Sequence, residues 1–328
     1  MKTKIPIWLL ATFFLATVAL AEAQQTAKVY RVGYLWPTRR EQGQSRLDAF
    51  ELGMRGHGYV MGKNLVIEYR WADGKFDRLA DLAADLVRLN VDVIVTGVNP
   101  GVVAAKQATS TIPIVMTTGN DPVGSGLVAS LSRPGGNVTG LSMDTGEENF
   151  GKRLELLKEA FAKLSRVAVL FNSANAAHQL YLKNLDQPAR HLKLTLIPVG
   201  YREIGDFENA FKTMIAQRAG GMYLFSDGVS ADQRSLIASL AVKNRLPSAY
   251  PERAYVEAGG LLSYGPDLNN NMRRAATYVD KIFKGAKPAD LPVEQPMKFE
   301  FVINLKTAKQ IGLTIPPNVL VRTDKVIK

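Results

Sequence analysis

The chain has 328 residues, no cysteine, three histidines, and 41 basic against 30 acidic side chains, with 46% hydrophobic residues and a net charge of +11. That length suits about two domains, each large enough to bury its own core, and the composition excludes a disordered chain. The lack of cysteine excludes thiolate nucleophiles, disulfide frameworks, Cys-based zinc sites and a lipid-attachment cysteine. His57, His178 and His191 lie too far apart for a metal box, so neither a metal nor a cofactor is expected.

In chain order, Lys2 and Lys4 precede an apolar run over residues 5–20, with small residues at Ala19, Ala21 and Ala23. A basic start, an apolar core and an A-x-A ending predict a secretory signal peptide over residues 1–23. An uncleaved membrane anchor is the alternative, against which the small residues and the polar start at Gln24 argue. No later stretch approaches transmembrane length, so the mature protein is expected to be soluble and exported. Its basic residues are scattered, with pairs at Arg39-Arg40 and Arg273-Arg274 but no run of five. That pattern reads as a solvated surface, and no nucleic-acid partner is expected.

Strand and helix patterns then alternate. Strands are predicted at residues 29–35, 65–71, 91–98, 112–116 and 137–141, with helices at 45–57, 76–90, 102–109 and 126–131 between them. Short apolar runs separated by helices imply right-handed βαβ units and a covered parallel sheet. The pattern restarts with a helix over 147–164 and strands at 167–171, 194–199, 221–225, 247–250 and 260–264. Helices are expected at 179–192, 204–216 and 231–243.

The halves echo each other. Their fourth strands open with Ile112-Pro113 and Leu246-Pro247, and their fifth follow Gly135-Gly136 and Gly259-Gly260. The expected fold is therefore α/β, with two similar doubly wound parallel-sheet lobes joined by a hinge. A helix over 267–285, capped by Asp267 and ended by Gly285, precedes a Pro-rich connector. A strand over 298–303 and a short helix over 305–312 return the chain across the lobe boundary. The expected division is lobe 1 at 27–142 plus about 266–290, and lobe 2 at 143–265 plus about 291–328.

Catalytic motifs are missing. Gly151-Lys152 runs into Arg153 without the upstream glycine of a phosphate loop, and Gly124-Ser125-Gly126 lacks the dinucleotide-binding spacing. Ser263 precedes Gly265, but Leu261 stands where a nucleophile elbow needs glycine. His57 and His191 sit near predicted helix C-termini, where imidazolium suits the helix dipole. No catalytic residue is expected, and the protein is not read as an enzyme.

What remains lies at the carboxyl ends of the predicted strands, the edge where open α/β sheets bind ligands. The first lobe places Trp36, Thr38, Asn99, Thr118, Asn120, Asp121 and Asp144 there; the second places Asn172, Asp227, Tyr250 and Tyr264. Facing lobes would make a cleft from these edges. Helix N-termini can hold an anion there, Asp121 or Asp227 an ammonium, and Trp36 or Tyr250 can cover an apolar group. Each has a structural alternative: Asn and Asp after a strand also cap helices, and Trp36 and Tyr250 also suit a core.

These residues bring a family resemblance into view. The motifs are RVGYL at 31–35, GKNLVIEYRWADG at 62–74, DPVGSGLVASLSRPGGNVTG at 121–140, KRLELLKE at 152–159, RVAVLFN at 166–172 and GAKPADLPVEQP followed by KFEFVINLKTAK at 285–309. The chain resembles the bacterial ABC transporter substrate-binding proteins with the type 1 periplasmic-binding fold, in the group that includes tryptophan/tyrosine-type binding proteins. The resemblance implies a periplasmic receptor that closes on a small ligand, an amino acid with an aromatic or branched side chain being the best guess. It further implies delivery to ABC permease subunits, and a monomer is expected because a transport receptor presents both lobes to one partner. Two alternatives stand beside this: a ligand-sensing subunit for a membrane receptor, and a two-lobe α/β transferase or hydrolase.

Overall fold

The computed structural model describes residues 28–143 and 147–328. The expected signal peptide and Asp144 lie outside the described residues. In the first half, β1 (Tyr30–Trp36), β2 (Leu65–Trp71), β3 (Val93–Thr96), β4 (Ile114–Gly119) and β5 (Val138–Ser142) form one sheet of order β2-β1-β3-β4-β5, parallel throughout. The strands β3, β4 and β5 are buried along their whole length, which is why their sequences are unbroken apolar and small runs rather than alternating ones. Helix α1 (Arg40–Gly56) buries Leu47, Phe50 and Met54 on one face of the sheet. On the other face α2 (Leu79–Arg88) and α3 (Val98–Ala108) bury Leu79, Ala83, Leu86, Val102 and Ala105.

The second half repeats the plan. Its strands are β6 (Arg166–Asn172), β7 (Thr195–Tyr201), β8 (Gly221–Leu224), β9 (Ser248–Tyr250) and β10 (Leu262–Pro266), in the matching order β7-β6-β8-β9-β10. The echo extends to single hydrogen bonds. Pro113 O accepts Ile94 N–H at 2.8 Å, and Pro247 O accepts Met222 N–H at 2.8 Å. Proline has no N–H to give a ladder, but at the start of a strand its carbonyl still serves. This sheet continues beyond β10 with β11 (Phe299–Asn304), which is antiparallel, and β12 (Lys325–Ile327).

Two helices are exchanged between the lobes. After β5, α4 (Glu147–Ala160) crosses over and lies on β9 and β10 of the second sheet, beside α5 (Ala176–His191). After β10, α10 (Leu268–Phe283) crosses back onto α1, β4 and β5. Asp267 caps α10 by accepting Asn270 N–H at 2.9 Å. The segment that follows runs beside β5, with Ser142 N–H on Glu294 O at 2.9 Å and Thr139 Oγ1 donating to Leu291 O at 2.6 Å. Beyond it the chain crosses a third time into β11. The opposite face of the second sheet is covered by α6 (Phe207–Ala216), α7 (Gly228–Asp232), α8 (Arg234–Lys243) and α9 (Arg253–Glu257). Helices α11 (Leu305–Gln310) and α12 (Pro317–Leu320) close the α4 side.

Several sequence-based boundaries move. Residues 126–131 are not helical: Leu127 and Val128 N–H both donate to Pro122 O, and Gly126 has φ of +69°. The helix expected at 231–243 is two: α7, capped by Asp227, starts three residues early at Gly228 and ends at Asp232, and α8 starts at Arg234. Helix α3 also starts early, at Val98. Helix α9 and strand β12, five and three residues long, are too short for a periodic signal.

Candidate functional site

The first-lobe wall is built at the ends of β1, β3 and β4. Gly97 lies between β3 and α3 because a Cβ there would meet Trp36 Cη2 at 2.8 Å and Thr118 Oγ1 at 3.2 Å. The next residue, Val98, has φ of +50°, a strained conformation for a β-branched residue. It is held there by its N–H, which donates to Thr118 Oγ1 at 3.0 Å. Asn99 clamps the following strand end: it accepts Asn120 N–H at 2.9 Å and donates to Asn120 O at 2.7 Å. Thr38 is half-exposed beside this wall.

The second-lobe wall centres on Asp227, which follows β8 and caps α7. Its Oδ1 accepts Tyr201 O–H at 2.8 Å and Ser230 N–H at 3.0 Å, and its Oδ2 accepts Asn172 Nδ2 at 2.6 Å. These donors come from β7, α7 and β6, so three elements meet on one carboxylate. Asn172 N–H donates in turn to His178 Nδ1 at 3.0 Å. Burial is the main cause holding the His178 pKa below its usual value, which keeps Nδ1 free to accept. Burial likewise pushes the Tyr201 phenol up, assisted by the charge of Asp227, so Tyr201 remains a donor.

The sequence-derived candidates thus part company. Thr118, Asn99 and Asn120 are brought together, as are Asn172 and Asp227. Asp121 is exposed and turns its carboxylate to Gly124 N–H at 2.9 Å, so it caps a turn. Trp36 and Tyr250, 1% and 0% exposed, are core residues rather than cleft walls: Trp36 stacks on Tyr34, and Tyr250 on Tyr255. Tyr264 stacks on Phe299 across the β10–β11 pair, beside the crossings. Asp144 falls outside the described residues.

Sequence reasoning missed what joins the lobes. Arg46 on α1 meets Glu252 of the second lobe at 3.0 Å, and Gln42, one turn earlier, approaches Asp232 of α7 at 3.5 Å. Phe76 of the first lobe lies over Gly228 of the second. The i, i+4 spacing of Gln42 and Arg46 was the only local signal, since their partners are about two hundred residues away. Arg153 and Tyr201 were also missed. Among the described residues no group of three or more His, Cys, Asp or Glu is placed to hold a metal ion, and no helix is long and apolar enough to cross a membrane.

Two repeated α/β lobes, helices exchanged between them and side-chain contacts across their boundary agree with the comparisons to known proteins. The family model for ABC transporter substrate binding protein matches residues 44–327. The chain belongs to this family of substrate-binding proteins. A tyrosine-binding protein of Clostridioides difficile (strain R20291) is 26% identical over 268 residues, covering 80% of this chain and 75% of the relative. Among solved structures, a conserved domain protein from Vibrio cholerae shares 29% identity with a TM-score of 0.81, covering 91% of this chain and all of that one. An ABC domain from Streptococcus pneumoniae in complex with L-Trp shares 24% identity with a TM-score of 0.81, covering 92% and 100%. A leucine-binding protein of Thermotoga maritima shares the fold at 13% identity, with a TM-score of 0.59 over 86% of this chain and 87% of that one. The substrate-binding family member described here therefore has the type 1 periplasmic-binding fold expected from its motifs.

Proposed function

We propose that this protein is the periplasmic receptor of an ABC importer, which takes an L-amino acid into the cleft between its lobes and releases it unaltered to permease subunits. The observation that carries the reading is the direct contact between the lobes, Arg46 with Glu252 and Phe76 over Gly228, the residue after Asp227, with a polar cluster at the strand ends of each lobe, Thr118–Val98–Asn99 in one and Asn172–Asp227–Tyr201 in the other. A preformed carboxylate ringed by neutral donors suits an ammonium group. The names of the relatives, one for tyrosine and one in complex with L-Trp, favour aromatic amino acids. The three crossings form the hinge in this reading, and a ligand that touches both walls favours the closed arrangement by its differential contacts. The signal peptide delivers the chain across the inner membrane, and it works as a monomer.

Thermal-shift screening against L-amino acids, purines and small organic acids tests this. A ligand at a hundred times its dissociation constant adds about 2.7 kcal/mol to apparent stability, so an aromatic amino acid should raise the melting temperature visibly. No shift with any L-amino acid, or conversion of the ligand to a product seen by mass spectrometry, would overturn the proposal.

A further inference from the structure

The second lobe buries a positive charge that none of its described carboxylates neutralises. Arg153, on α4, is 4% exposed. Its Nη2 donates to Leu224 O at 3.2 Å, at the carboxyl end of β8, and its guanidinium lies 4.2 Å over the Tyr223 ring. Its Nε has no partner. Of the acids, Glu252 acts on it through space, but Glu252 is engaged by Arg46 of the other lobe. Burial lowers the Arg153 pKa from its usual value, yet a guanidinium stays protonated at neutral pH. A buried cation of this kind is strongly unfavourable without a counter-ion.

Part of its role is structural. Pro251, which follows β9, has no N–H to give the neighbouring strand, and Arg153 satisfies the Leu224 carbonyl at that edge. Its Nε is left without a partner, so part of the five-donor fork is unused. The carbonyl it holds is three residues before Asp227, so one sheet edge carries a cation and an anion. Among the described residues the anion is bound only by neutral donors, and the cation has no ion pair. That polarity is complementary to a zwitterion.

Resting on the cleft reading above, we propose that Arg153 receives the carboxylate of the bound ligand while Asp227 holds its ammonium, so that the cleft selects α-amino acids over their amides. Titration calorimetry on the mature protein with L-tyrosine, L-tryptophan and their carboxamides tests it. Wild type should bind each acid about tenfold or more tighter than its amide. Arg153→Met should bring acid and amide to nearly the same affinity, the acid losing at least about tenfold more than the amide. Arg153→Lys, which keeps the charge but not the planar fork, should retain an intermediate preference and serves if the Met variant fails to fold. A variant that melts earlier but keeps the full preference assigns Arg153 to the Leu224 cap alone and overturns the proposal, as does a wild type that binds acid and amide alike. If none of the twenty L-amino acids binds wild type, the cleft reading itself falls and takes this assignment with it.

Discussion

Arg46 and Glu252 meet at 3.0 Å across the lobe boundary, with only 21% and 13% of their side-chain surfaces exposed. This ion pair joins the two lobes, and it can form only when they are close. A pair of this kind contributes about 1 kcal/mol, or about fivefold in the balance of open and closed forms. Arg46→Gln should therefore weaken ligand binding by about that factor and reduce its salt dependence. Equal affinity and an unchanged salt response would separate the pair from closure.

Asp227→Asn removes charge at almost constant shape. Asparagine caps helices about as well as aspartate, but its amide nitrogen replaces the oxygen that accepts Asn172 Nδ2, so the melting temperature should fall by the equivalent of about 1–3 kcal/mol. Loss of the charge-assisted bond to an ammonium should cost about tenfold or more in affinity. Calorimetry beside a thermal melt separates the two effects, and unchanged affinity would remove Asp227 from the site.

His178 makes stability depend on pH. Its Nδ1 accepts Asn172 N–H at 3.0 Å, which requires the neutral ring, and burial sets its folded pKa below the usual value of 6.5. The folded state thus binds this proton less readily than the unfolded state. The contribution is complete above about pH 6.5 and is lost as pH falls toward the folded value. Urea midpoints at pH 7.5 and 5.5 should separate more for wild type than for His178→Gln. Equal separations would assign the acid sensitivity to other groups.

Gly97→Ala places a Cβ against the Trp36 ring and Thr118 Oγ1. The ring is buried and cannot give way, so the substitution should cost about 1–3 kcal/mol. Gly56→Ala, whose Cβ would meet nothing within 4 Å at the end of α1, should be neutral or stabilise by up to about 1 kcal/mol. Thermal melts of both variants check the contrast, which fails if Gly97→Ala is as stable as wild type.

Much of this was legible because a parallel sheet buried on both faces needs unbroken apolar runs, and such runs are visible in one dimension. The repeated Ile-Pro and Leu-Pro starts marked strands whose carbonyls do equivalent work in both lobes. Asn172 and Asp227 were singled out because polar residues at the ends of parallel strands stand where such sheets bind ligands, and the structure brings their side chains together. Trp36 and Tyr250 misled because aromatics at a strand end serve a core as readily as a cleft. Arg46 left only its i, i+4 spacing from Gln42, and Glu252 left no mark, since an ion pair across a lobe boundary carries no spacing rule. Nor could the sequence say that Arg153, in an ordinary amphipathic helix, would be buried without a counter-charge.

Small-angle scattering during titration with an aromatic L-amino acid tests the central claim most directly. The radius of gyration should fall along a one-to-one binding curve and return when the ligand is dialysed away intact. A binding curve with no compaction at saturation would contradict closure of the two lobes on their ligand.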